Sequence, residues 1–89
     1  MNKVLEKSAP FMLSEDYKDR FLAEFMQIDN RFKRLDKMLE DWDLGILTFE
    51  PSCPRETYKF QWRAMKDYRD ILVVRAKIEG IDLDYESLL

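Results

Sequence analysis

From Phe21 onward the apolar residues fall at Phe25, Ile28, Phe32, Leu35, Leu39 and Trp42, in alternating steps of four and three. Side chains so spaced share one face of an α-helix, and the sustained alternation is that of a coiled-coil seam. Ser14, followed by Glu15 and Asp16, reads as the N-cap, with acids in the first turn where they meet the positive end of the helix dipole. Gly45 marks the end of this helix. A second run, Tyr58, Gln61, Met65, Tyr68, Leu72 and Arg75, repeats the alternation. Ala64, Ile71 and Ile78 widen that stripe on one side, and Phe60, Trp62, Val73 and Val74 fall outside it. Pro54 suits the first position of the second helix, behind Ser52 or Cys53 as cap, and Gly80 stops it.

The pattern predicts an all-α fold, an antiparallel two-helix hairpin over residues 14–79 with a connector at about 44–53. An N-terminal arm, residues 1–13 and ended by Pro10, precedes it, and a tail, residues 80–89, follows. Helices of about 29 and 25 residues would measure about 43 and 37 Å, comparable enough to pair along their length. The connector carries the β-prone Ile46, Leu47, Thr48 and Phe49 and is expected to fold back onto the hairpin end. Two helices cannot enclose a core, and the apolar surface of the second spreads well beyond one seam. Either the arm and tail cover the excess or another subunit does. A hairpin with two apolar faces favours self-association.

Composition narrows the chemistry. The 89 residues are 46% apolar and 13% aromatic, which suits one small folded domain. Fifteen Lys and Arg against eighteen Asp and Glu leave a net charge of −3, which argues against binding DNA, RNA or anionic membrane by bulk charge. No apolar run suggests a signal peptide or a membrane span, and a cytoplasmic protein is expected. With no histidine and Cys53 alone, His-dependent triads, the usual zinc sites and an intrachain disulfide are all excluded. A non-enzyme with no catalytic residue, metal or cofactor is the expectation. Asp36, Glu40 and their neighbours alternate with Lys33, Arg34 and Lys37 as a solvated helix face does. Cys53 reads as a small buried side chain or a cap.

The informative cations are Arg20, Arg31, Lys33 and Arg34 on the first helix and Arg63, Arg69 and Arg75 on the second. Arginine grips phosphate in a planar fork, and tyrosine offers a base a flat face together with a hydroxyl. Tyr17 and Tyr68 are therefore candidates, although a tyrosine at a heptad position is more often core. Tyr17 lies in the first helical turn with Arg20 one turn on, beside the free N–H groups of the helix N-terminus. Arg75 falls on the seam side and either pairs with Glu24 or Asp29 or faces a ligand.

The run YKDRFLAEFMQIDNRFKRLDKML, with Tyr17, Arg20, Glu24, Ile28, Arg34, Leu35 and Leu39, resembles the first helix of small phage-encoded helical-hairpin proteins. QWRAMKDYRDILVVRAKI, with Gln61, Met65, Tyr68, Leu72 and Arg75, resembles their second. That group includes hypothetical proteins of crAss-like phages and the hairpin shared by anti-CBASS protein 2 and Thoeris anti-defence protein 1. The resemblance spans residues 17–79. It implies a homo-hexamer in the cytoplasm of an infected bacterium that sequesters cyclic dinucleotide, and in some members trinucleotide, immune signals without turning them over. It also implies pockets between protomers that pair an aromatic with a cation. Tyr17 matches the aromatic position and Arg31 or Lys33 the basic region about four turns later, while Arg63 and Arg69 match loosely on the second helix. With Arg20, these are the candidate ligand residues. The alternative is a structural or adaptor phage protein that oligomerises and docks a protein partner through the surplus apolar face.

Overall fold

A computed structural model describes residues 3–89; Met1 and Asn2, at the start of the expected arm, lie outside them. The described residues form three α-helices, α1 (Lys3–Met12), α2 (Tyr17–Asp43) and α3 (Arg55–Glu79), and a single 3₁₀ turn at Glu86–Leu88, with no strand among them. None of these helices is long and apolar enough to cross a membrane.

The expected arm is thus itself a helix, and Pro10 lies inside it. A proline lacks one N–H, and one turn from a helix end that loss removes a single bond. The chain beyond it tightens: Leu13 N–H donates to Pro10 O at 3.3 Å and Ser14 N–H to Phe11 O at 3.2 Å. Capping of α2 also shifts by two residues, because Asp16 is the N-cap and its carboxylate accepts from Lys18 N–H at 2.9 Å. Ser14 supports that cap, accepting from Asp16 N–H at 3.1 Å and donating to Asp19 at 2.7 Å. Gly45, at φ 74°, turns the chain out of α2, and Gly80, at φ 70°, does the same after α3. Both positions need the left-handed conformation that glycine adopts without strain.

Helices α2 and α3 run side by side in opposite directions. Arg55 at the start of α3 grips Asp43 at the end of α2 (3.2 and 3.3 Å), and Glu79 at the end of α3 meets Tyr17 at the start of α2. The α2 seam follows the sequence pattern, with Phe21, Phe25, Ile28, Leu35 and Leu39 buried. The α3 seam is turned by one position. Trp62, Arg69 and Ala76 face α2 where Gln61, Tyr68 and Arg75 were expected. Trp62 lies 5.6 Å from the Phe32 ring and donates its indole N–H to Asp36, Arg69 reaches Asp29, and Ala76 is buried.

Helix α1 packs along α2 on the side that carries Met26 and Gln27, where Gln27 Nε2 donates to the buried Ser8 hydroxyl at 2.6 Å. The tail returns over the seam and buries Ile81 and Tyr85, the latter edge-on to Phe25. Val4, Phe21, Phe25, Met26, Ile28, Leu72, Ala76, Ile81 and Tyr85 form one core. So α1 and the tail do cover part of the excess apolar surface. The outer face of α3 stays bare, with Phe60 67%, Ile71 52%, Val74 49% and Ile78 80% exposed. In the connector Ile46 and Phe49 reach back over Lys37 and Met38 yet remain exposed, as do Leu44 and Cys53. Cys53 is therefore neither buried nor a cap; Pro54 is the N-cap of α3 and makes no side-chain bond.

Candidate binding site

The α2–α3 seam has two flanks, and the chain treats them differently. On one, Asp29 is 2% exposed and gathers three donors: Arg69 Nε at 2.6 Å, Lys33 Nζ at 3.0 Å and the Tyr85 hydroxyl from the tail. The Arg69 guanidinium also lies 5.8 Å from the ring centroids of both Phe25 and Phe32. A carboxylate inside a small core is tolerable only because every one of these partners is in place.

Burial pushes the Asp29 carboxyl up, but the bonds from Tyr85, Arg69 and Lys33 outweigh it and hold the group below its ordinary 3.8. Burial, and then the bond to Asp29, raises Tyr85 above its ordinary 10.0. The native state therefore holds fewer protons than the unfolded chain at Asp29 in acid and more at Tyr85 in alkali. The stability from Asp29 is complete above 3.8 and lost as the pH falls below it; that from Tyr85 is complete below 10.0 and lost above. Urea midpoints should drop at both extremes, and Tyr85→Phe should flatten the alkaline limb.

The other flank is open. A groove of about 360 Å³ is lined there by Met12 of α1, Arg20, Glu24, Gln27, Ile28 and Arg31 of α2, and Tyr68 of α3. Arg20 donates to the backbone oxygen of Ser14 at 2.8 Å, and among the described residues neither Arg20 nor Arg31 pairs with a carboxylate. Tyr68 donates its hydroxyl to Glu24. At the end of this flank the Tyr17 hydroxyl donates to Glu79 Oε1 at 2.8 Å and accepts from Arg75 Nη2 at 2.7 Å. Arg75 also donates through Nε to Glu79 Oε2 at 3.1 Å and lies 5.0 Å from the Phe21 ring centroid.

Of the candidate residues, Tyr17, Arg20 and Arg31 thus share the open flank. Lys33 and Arg69 converge on Asp29 across the seam. Arg63 points outward on α3, 3.8 Å from Asp67, with both side chains largely exposed. Arg75 joins Tyr17 rather than the Glu24 or Asp29 considered from sequence. What sequence reasoning missed is the pair of carboxylates, Glu24 and Glu79, that hold the two tyrosine hydroxyls. Both tyrosines had been singled out, but pairing them across helices needs the register of α3.

The chain is thus a small all-α protein with two guanidiniums, Arg20 and Arg31, that meet no carboxylate among the described residues along one groove. The Sequestin family model matches residues 15–78, and the chain belongs to that family. The family's name is consistent with sequestration rather than turnover. No curated protein and no solved structure matches the chain.

Proposed function

We propose that this protein is a non-catalytic sponge of phage origin that binds cyclic oligonucleotide immune signals on the open flank of the α2–α3 hairpin. The observation that carries the reading is Arg20 and Arg31, two guanidiniums without a carboxylate partner among the described residues, both lining one groove. A cyclic dinucleotide presents two phosphodiesters separated by bases, so arginines of this flank, Arg20 and Arg31 among them, would take phosphate while Tyr68 takes a base. Lys33, Arg63 and Arg69 are given no direct contact in this reading. Capture of a scarce signal demands nanomolar affinity, about −12 kcal/mol. Calorimetric titration with cyclic di- and trinucleotides and cyclic ADP-ribose isomers tests it, and absence of heat with all of them overturns it.

Enclosure would come from assembly. Phe60, Ala64, Asp67, Ile71, Val74 and Ile78 repeat steps of four and three along the bare face of α3, a second seam beside the first. Ile71 lies one turn from both Tyr68 and Arg75, so a second copy docked there would wall the open groove. Burying one such aliphatic side chain stabilises by about 1.5–3 kcal/mol. We expect light scattering at micromolar concentration to report a multiple of 10.8 kDa, the hexamer that the resemblance to phage hairpin proteins implies, and Ile71→Glu with Val74→Glu to return one chain's mass. A wild-type monomer would refute the assembly.

A further inference from the structure

Resting on the sponge reading only for the identity of its ligand, we infer that Tyr17 and Arg75 form an oxyanion seat whose resident occupant is the carboxylate of Glu79, displaced when a phosphate arrives. The two Glu79 oxygens take one donor each, the Tyr17 hydroxyl at 2.8 Å and Arg75 Nε at 3.1 Å. Arg75 Nη2 closes the ring by donating to the Tyr17 oxygen at 2.7 Å. Two converging donors on two oxygens of one anion is also the arrangement by which arginine and a hydroxyl hold a phosphodiester.

The position of Glu79 points the same way. It is the last residue of α3, where exposed carbonyls make the dipole end negative and a carboxylate is disfavoured. Among the described residues, Arg75 and Tyr17 are what hold it there. The Glu79 side chain is 30% exposed and outside the core, so rotation about its own χ angles takes the carboxylate to solvent without disturbing the packing. Arg75 is braced over the Phe21 ring and stays in place when its occupant changes. Glu24, the other carboxylate near Tyr17 and Arg75, is held by the Tyr68 hydroxyl. The bond to Glu79 raises both Tyr17 and Arg75 above their ordinary values, which keeps the hydroxyl a donor.

Glu79 therefore sets a threshold: a ligand must supply an anion that outcompetes an internal carboxylate, as a phosphodiester anchored elsewhere on the flank does and a lone anion does only at high concentration. The test compares wild type, Glu79→Gln, Glu79→Ala and Arg75→Lys in the Glu79→Gln background. Two probes are used: cyclic di-AMP by calorimetry, and inorganic phosphate by the ring signals of labelled tyrosine, with Tyr17 assigned from Tyr17→Phe. Both Glu79 variants should bind cyclic di-AMP about tenfold tighter than wild type, since hydrogen bonds to charged groups are strong but these are solvent-exposed. Phosphate should shift the Tyr17 signal at lower concentration in both, and Arg75→Lys should erase both gains. Cyclic di-AMP bound equally by wild type and both Glu79 variants overturns the seat and leaves the sponge standing. Phosphate gains without any cyclic di-AMP binding keep the seat and count against the sponge for that ligand. No gain with either probe overturns the seat.

Discussion

Asp29→Ala should lower the melting temperature by about 10–20 °C, the largest effect of any single polar substitution in this chain. Breaking a buried ion pair typically destabilises by about 3–5 kcal/mol, and the partial exposure of Arg69 and Lys33 reduces that to about 2–4 kcal/mol here. The loss has three parts. Arg69 keeps its charge among Phe25 and Phe32 with only the 4.0 Å pair to Asp70 left, the Tyr85 hydroxyl loses its acceptor, and the tail loses its anchor on α2. Asp29→Asn, which preserves shape and one acceptor, should fall between. A circular-dichroism melt decides it, and a drop under about 5 °C would mean the cluster contributes little more than a surface pair.

Arg20→Ala combined with Arg31→Ala should weaken cyclic dinucleotide binding by about 100-fold or more, because each lost bond to a charged phosphate is worth about 1.5–3 kcal/mol. Among the described residues neither arginine is buried or tied to a carboxylate, and Arg20 gives up only an exposed bond to the Ser14 backbone, so the melting temperature should barely move. Lys33→Ala supplies the contrast: equally cationic, two residues from Arg31 and on the opposite flank, it should leave affinity unchanged. The remaining affinity should also lose part of its salt dependence. Equal losses from Lys33→Ala and from the arginine pair would move the ligand away from the open flank.

The contrast between Arg31 and Lys33 shows how far the residues could be read unaided. The first seam was plain because Phe21 to Leu39 repeat one spacing through large apolar residues, while Ala23 and Met26, buried on another side of α2, are too few to offer a second alignment. Helix α3 carries two overlapping stripes, and the alignment through Gln61, Tyr68 and Arg75 looked as good as the true one through Trp62, Arg69 and Ala76. What decides between them is Asp29, which makes a charged Arg69 acceptable in the seam, and that pairing spans 40 residues. Pro10 misled in the same local way, since its cost depends on how soon the helix ends. Arg31 and Lys33 were interchangeable as cations until Asp29 and the tail claimed one flank.

The cross-helix contacts are ordered in the chain like the teeth of a zip fastener. Arg55 meets Asp43 across 12 residues, Trp62 meets Asp36 across 26, Arg69 meets Asp29 across 40 and Tyr17 meets Glu79 across 62. With each pair in place, the next closes only a short additional loop, whereas starting at the far end would close the longest loop first. Folding should nucleate at the connector and propagate toward Tyr17, whereas native-state fraying should begin at the exposed connector, away from the core of Phe21, Phe25, Leu72, Ala76, Ile81 and Tyr85. Amide exchange should accordingly be fastest in the connector and slowest around Phe25, Met26 and Leu72. The last tooth to close is the pair of Tyr17 and Glu79, so a ligand gripping Tyr17 and Arg75 would act as a clasp, slowing exchange at that end before anywhere else.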